Sequence, residues 1–218
     1  IWNIELLSLE IMSLKKATDI FNAWAIAGKD DGMQKHHSAA VNVMLDTLVG
    51  PRTSKFSFID AGCGNGWVVR QMENHPLCTR SIGIDGAEEM IGKAKLIDPL
   101  GSYIHSDLLT WAPEETFDLI HSMEVFYYFN NPKKVISHIV KNWLNERGEM
   151  IMGIDFYKEN SKSHSWPNDL NTHMELLGIS DWVEIFEESG LTQVTSFQTN
   201  AKNDFPGTLV VHGMKGKA

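Results

Sequence analysis

The residues best placed to do chemistry together lie in "FSFIDAGCGNGWVV", residues 56–69. An apolar run ends at Asp60. Gly62, Gly64 and Gly66 follow at every second position before the chain turns apolar again. Glycines after a strand let the backbone approach a ligand with no Cβ in between. In an open α/β sheet, ligands bind at the carboxyl ends of the strands. The spacing here is D-x-G-x-G-x-G. A dinucleotide loop needs G-x-G-x-x-G, but its third position holds Trp67 and glycine comes one residue early. A phosphate-binding loop closing on G-K-[ST] is absent after the strand. Pyrophosphate is therefore disfavoured. What remains is a loop holding another ligand, or a tight strand–helix turn.

Other polar residues could join such a site. Asp85 ends "SIGID", although "DGAEEM" also has helix-capping character. Asp107 in "HSDLLTW" also reads as a solvated turn residue. Glu124 and Tyr127 in "HSMEVFYYF" and His37 in "GMQKHHS" are candidate bases, histidine because it titrates near neutral pH. His37 fits a solvated or capping role as well. His36 and His37 are adjacent, so they point to different helix faces and do not form a metal pair. Cys63 reads as a small residue filling the turn, not as a nucleophile. No acidic cluster is spaced for a divalent metal, and no metal is expected.

The elements that must position these residues follow from periodicity. Over residues 1–50 the chain reads as helical, with Ile20, Phe21, Trp24 and Ala25 at helical spacing up to Gly28. A polar loop, "GKDDGMQKHHS", separates that run from a helix carrying Val41, Met44, Leu45 and Leu48. From Phe56 short apolar runs alternate with helical segments. "FSFIDA", "SIGID", "SYIHSD", "FDLIHSM" and "EMIMGIDF" read as strands; "GWVVRQMENH", "AEEMIGKAKLI" and "PKKVISHIVKNWL" read as helices. That alternation argues for a parallel sheet with helices on both faces. "YKENSKSHSWPNDLNTHMELLGIS" is too long for a simple connection and reads as a functional insertion. The helix "DWVEIFEESGL" and the strands "TQVTSFQT" and "GTLVVHGM" close the chain as an antiparallel edge pair.

The 218 residues suit one domain. Composition is ordinary, with 43% hydrophobic and 22% charged residues. A net charge of −9 without a Lys/Arg cluster suits small neutral or cationic ligands and disfavours nucleic acid. No apolar run approaches the roughly 20 residues of a membrane helix, so no membrane partner is expected. Two cysteines, Cys63 and Cys78, are too few for a disulfide scaffold and point to a reducing, cytoplasmic setting.

"IDAGCGNG" resembles the first motif of class I S-adenosylmethionine-dependent methyltransferases, and the similarity continues in order. "SIGIDGAEEM" resembles the second motif, "HSDLLTW" the adenine-binding stretch and "FDLIHSMEVFYYF" the fourth-strand motif. The resemblance implies a Rossmann-like seven-stranded sheet, mostly parallel with an antiparallel edge hairpin, and an N-terminal helical cap. It divides a single domain, 1–218, into a cap (1–50), a cofactor-binding core (51–155), a substrate lid (156–180) and a last helix with the edge hairpin (181–218). It implies S-adenosylmethionine as cofactor and S-adenosylhomocysteine as product.

By the same resemblance Asp60, Gly62, Cys63, Gly64 and Gly66 hold the cofactor from the first loop. Asp85 and Gly86 meet the ribose, where two carboxylate oxygens can take two O–H donors. Asp107 accepts from the adenine amino group and Leu108 offers its N–H. Met90 and Leu108 sandwich the ring, and Ser122 and Met123 lie beside the methionine part.

"HSMEVF" departs from the N-P-P-Y pattern that grips a planar amide or base amine, which disfavours nucleic-acid bases and glutamine. Too few cysteines are present for arsenic. The expected acceptor is a small molecule, at N or O rather than C. Trp24, Met33, Tyr128 and Trp166 are candidate substrate walls, with aromatic faces suited to a cation. His37, Glu124 and Tyr127 are the candidate catalytic groups. The chain is expected to act as a monomer or homodimer. The alternative is an inactive S-adenosylmethionine-binding partner or regulatory protein.

Overall fold

The computed structural model describes residues 13–216. Residues 1–12 of the expected cap and residues 217–218 lie outside the described residues. Strands are β1 (Phe56–Ala61), β2 (Cys78–Asp85), β3 (Ser102–His105), β4 (Phe117–Met123), β5 (Leu144–Ile154), β6 (Leu191–Thr199) and β7 (Thr208–Lys215). Helices are α1 (Ala17–Ile26), α2 (Asp31–Val49), α3 (Trp67–Glu73), α4 (Glu88–Ile97), α5 (Pro132–Asn142), α6 (Trp166–Leu170) and α7 (Ile179–Glu188).

The strands form one sheet in the order β3-β2-β1-β4-β5-β7-β6. β1 to β5 are parallel, and β7 runs antiparallel to both β5 and β6. The order reverses between β1 and β4, which opens a crevice at their carboxyl ends. The expected seven-stranded α/β sheet with an antiparallel edge pair is the one observed.

Alternation along the strands explains the two helix layers. Ile59, Ile120, Met150, Met152, Leu209 and Val211 face one side, where they bury against α5 and α7 residues such as Ile136, Val140, Trp182 and Phe186. Phe58, Leu119, Ile151 and Val210 face the other, against Val41, Met44, Leu45 and Leu48 of α2 and Val68 and Met72 of α3. Successive side chains leave a strand on opposite faces, so the central strands of a sheet covered twice are apolar over much of their length. α5 begins at Pro132, which needs no N–H there, and Asn131 Oδ1 accepts from Lys134 N at 3.0 Å.

Two expectations change. The polar segment read as a loop is helical from Asp31, so "GMQKHHS" forms the first turns of α2. Its outer positions are polar, and its inner row runs Met33, His37, Val41 and on into the core. Only the later part of that row is apolar enough to show the helical period. α2 also belongs to the sheet layer over its C-terminal half, although it was expected as part of a cap.

The segment 156–180 contains a 3₁₀ turn, Ser161–Ser163, and the short α6. Much of it is packed in. Phe156, Tyr157, Asn160, Ser163 and Thr172 are buried, and Tyr157 donates to Gly207 O at 2.7 Å. Lys15 N donates to Asn171 O and Thr172 Oγ1 to Lys15 O, each at 2.8 Å, joining the segment to the chain before α1.

Candidate functional site

The glycine loop leaves β1 at Ala61 and enters α3 at Trp67. Gly62 N and Cys63 N donate to Ile84 O of β2 at 2.8 and 3.0 Å, which holds the turn against the neighbouring strand. Gly62, Gly64 and Gly66 all have positive φ, where a side chain costs energy. Their surroundings differ. A Cβ on Gly62 would overlap Val125, and one on Gly66 would overlap the Tyr103 ring, whereas one on Gly64 would meet nothing within 4 Å. Two of the glycines are needed for protein packing; the third keeps an open face toward the crevice.

Carboxylates surround this loop. Asp85, at the tip of β2, accepts from Gly64 N at 2.8 Å through Oδ2 and from Ala87 N at 2.7 Å through Oδ1. Burial raises its pKa, and those two N–H donors pull it back. Asp60 is buried on β1, and its Oδ1 lies 2.7 Å from His121 Nδ1 on β4, the residue opposite it in register. Asp30, just before α2, accepts from Asn65 Nδ2 at 2.9 Å and pairs with Lys93 Nζ of α4 at 2.7 Å. It thereby ties α2 to the glycine loop. Cys63 is buried beside Gly83; burial and the nearby Asp85 and Asp60 raise its thiol well above the usual range, so it stays protonated.

Three cavities meet at the carboxyl ends of β1, β2 and β4. The first, of about 50 Å³, has Asp60, Gly62, Cys63, Gly64, Met123 and His121 in its wall. The second, of about 420 Å³, is lined by Gly62, Asp85, Gly86, Asp107, Leu108 and residues of α1. Asp107 Oδ1 accepts from Leu109 N at 2.9 Å, which fixes the turn. Of the other expected cofactor residues, Gly66, Met90 and Ser122 line none of the three. Met90 is buried in α4, and Ser122 Oγ donates to Ala61 O at 2.8 Å.

The third cavity, of about 290 Å³, brings together Trp24, Met33, His37, Glu124, Tyr127, Tyr128 and Trp166. These are all the residues expected as substrate walls or bases, drawn from α1, α2, the end of β4 and α6. Glu124 also lines the other two cavities and so stands where they join. Its φ is 60°, an uncommon conformation for a residue with a side chain and one that marks functional sites. Tyr127 Oη donates to its Oε2 at 2.8 Å, and Asp155 N donates to its Oε1. Burial, then the nearby Asp155, holds the Glu124 carboxyl well above the usual range. Burial and Glu124 push the Tyr127 phenol up. Burial lowers the pKa of His37, whose Nδ1 lies 3.9 Å from Asp155 Oδ2. Among the three candidate bases, burial moves His37 toward its free-base form, while it moves Glu124 and Tyr127 toward their protonated forms.

Asp30, His121 and Asp155 were missed by sequence reasoning. His121 offered a faint signal inside the fourth-strand motif. Asp30 and Asp155 offered none, since each acquires its partners from elements distant in the chain. Among the described residues no group of three or more His, Cys, Asp or Glu is placed to hold a metal ion, and no helix is long and apolar enough to cross a membrane.

A family model described as a methyltransferase domain matches residues 33–196. Among curated proteins, the chain is 24% identical to the malonyl-[acyl-carrier protein] O-methyltransferase of Paenibacillus sp., over 67% of this chain and 59% of that protein. It is 23% identical to the trans-aconitate 2-methyltransferase of Escherichia coli, over 67% and 60%. The chain thus matches about three fifths of the length of these relatives. Among solved structures, a chain of the complex between the Haloferax volcanii Trm112 methyltransferase activator and a methyltransferase superposes with TM-score 0.81 at 23% identity, over 94% of this chain and 100% of that one. The N-methyltransferase NodS of Bradyrhizobium japonicum, with S-adenosyl-L-homocysteine bound, superposes with TM-score 0.62 at 21% identity, over 84% and 87%.

Proposed function

The chain belongs to the methyltransferase domain family, with the fold of class I S-adenosylmethionine-dependent methyltransferases, and from that premise we propose that it transfers a methyl group from S-adenosylmethionine to a small-molecule acceptor, at N or O rather than C. The observation that carries this reading is the junction at Glu124, where the crevice along the glycine loop opens into a separate aromatic chamber.

The residues present fit the cofactor. Gly64 leaves an open face where a side chain would stand, and Asp85 and Asp107 place carboxylates along the second cavity. Asp85 is proposed to take the ribose hydroxyls and Asp107 with Leu108 the adenine edge. Leu108, in the wall of that cavity, is proposed to cover one ring face. When bound, S-adenosylmethionine supplies a sulfonium methyl group that an acceptor's lone pair displaces, the C–S bond breaking with its pair left on sulfur. The chain's own part is to orient the acceptor, exclude water and take up a proton. His37 is the proton acceptor we favour, with Asp155 beside it to stabilise the imidazolium. The segment 156–180, through Trp166, forms the outer wall.

Calorimetry with S-adenosylhomocysteine, followed by detection of that product from S-adenosylmethionine with a small-molecule panel, tests this reading. Binding with turnover is expected. Binding without turnover of any acceptor supports the inactive-partner alternative instead.

A second reading concerns partners. The similarity to a chain from an activator complex, together with Leu96 and Leu100 at 81% and 98% exposure beside the edge strand β3, supports an activator subunit docking there. Light scattering of the chain alone and with such an activator separates this from a monomer or homodimer.

A further inference from the structure

The third cavity has a chemical character that the fold alone does not dictate. Its wall is a run of aromatic contacts. Trp24 meets Phe21 edge-on at 5.4 Å, Phe21 meets Tyr128 at 5.5 Å, and Tyr128 packs on Tyr127 at 4.5 Å. The run continues through Phe156, at 5.3 Å from Tyr127 and 6.3 Å from Trp166. Between these rings stand Glu124 on the floor and Asp169 on α6, whose Oδ2 accepts from Ser165 Oγ at 2.8 Å. Asp155 lies behind His37, with Oδ1 buried and without a hydrogen-bond partner among the described residues. No lysine or arginine among the described residues lines the cavity.

From this arrangement we infer that the acceptor is a basic amine carrying an apolar or aromatic body, recognised as its ammonium by Glu124, Asp169 and the surrounding ring faces. The inference rests on the methyl-transfer reading above and names the substrate class of the same site. A cation over aromatic faces is attracted by the ring quadrupoles, and desolvation strengthens that attraction. A carboxylate acceptor would meet Asp169 and Glu124 and find no guanidinium or ammonium among the described lining residues, so its charge would be desolvated without a partner. The chamber therefore discriminates against acids such as those named for the curated relatives.

Charge balance in the step is simple. The bound ammonium gives one proton to His37, which burial moves toward its free-base form. The freed lone pair forms the new N–C bond, the methyl–sulfur bond breaks, and the sulfur keeps the electron pair. The product leaves as a methylated ammonium, and His37 returns its proton to solvent.

The test uses isosteric pairs that differ in charge. Phenethylamine and 3-phenylpropionate, then tryptamine and indole-3-propionate, are titrated by calorimetry into protein saturated with S-adenosylhomocysteine. Each amine is expected to bind at least tenfold tighter than its acid partner. That ratio should shrink in Glu124→Gln and in Asp169→Asn, the second an exposed position whose change leaves the core intact. Equal binding, tighter binding of the acids, or binding of neither overturns the inference while the cofactor reading stands. A ratio unmoved in both variants overturns it too, because the carboxylates would then serve the sulfonium alone. Failure of S-adenosylhomocysteine itself to bind overturns the reading beneath.

Discussion

Asp85 Oδ2 accepts the backbone N–H of Gly64 at 2.8 Å. One carboxylate at the tip of β2 thus clasps the middle of the loop that leaves β1, while facing the larger crevice. Loop shape and the proposed cofactor recognition share this residue, so they are expected to fail together when it is lost.

Asp85→Ala is expected to weaken S-adenosylhomocysteine binding by roughly 1–3 kcal/mol, from ribose hydroxyls left unpaired and a loop N–H without its acceptor. Asp85→Asn keeps one acceptor oxygen and should lose less. Calorimetry on both variants checks the order; unchanged affinity in the alanine variant would remove Asp85 from the site.

The glycines separate packing from binding. Gly62→Ala places a methyl group against Val125 and should lower thermal stability clearly. Gly64→Val has free space, so its cost to the unliganded protein should stay near the ~1–2 kcal/mol of a left-handed residue. It should nevertheless abolish cofactor binding by filling the crevice. Melting curves with and without S-adenosylhomocysteine read both effects, and ligand-induced stabilisation of the Gly64 variant would show that the loop is only a turn.

Glu124 should make the wild type's stability depend on pH. Its folded carboxyl holds the proton above the unfolded value of 4.5. The folded state therefore binds more protons between the two values, and the stability it contributes is present below 4.5 and lost as pH rises through the folded value. Asp155, Tyr127 and His37 face the same carboxyl and titrate in both proteins. Glu124→Gln lacks this loss, so its melting temperature should gain on the wild type as pH increases above 4.5. Parallel melting curves across that range would contradict the shift.

Local pattern was enough for much of this. Gly62, Gly64 and Gly66 declare a tight loop by their spacing, because positive φ and close approach are properties of a few consecutive residues. The buried strands announce themselves as apolar runs, and "FDLIHSM" coincides with β4 residue for residue. The start of α2 was misread because its first turns face the cavities and solvent, so apolar periodicity is missing where the helix is nevertheless continuous.

What the sequence by itself determined is the local ingredients of the sheet, the glycine loop after β1, and the carboxylates Asp60, Asp85 and Asp107 that the resemblance assigns to the cofactor. Tertiary structure alone decided which groups share a field. It set Asp155 behind His37, His121 against Asp60, Asp30 against Asn65 and Lys93, and Glu124 where three cavities join. Those relations depend on strand order and helix docking between residues far apart in the chain. Burial and neighbouring charge, which move His37 toward its free base and Glu124 and Tyr127 toward their protonated forms, exist only once those elements have met.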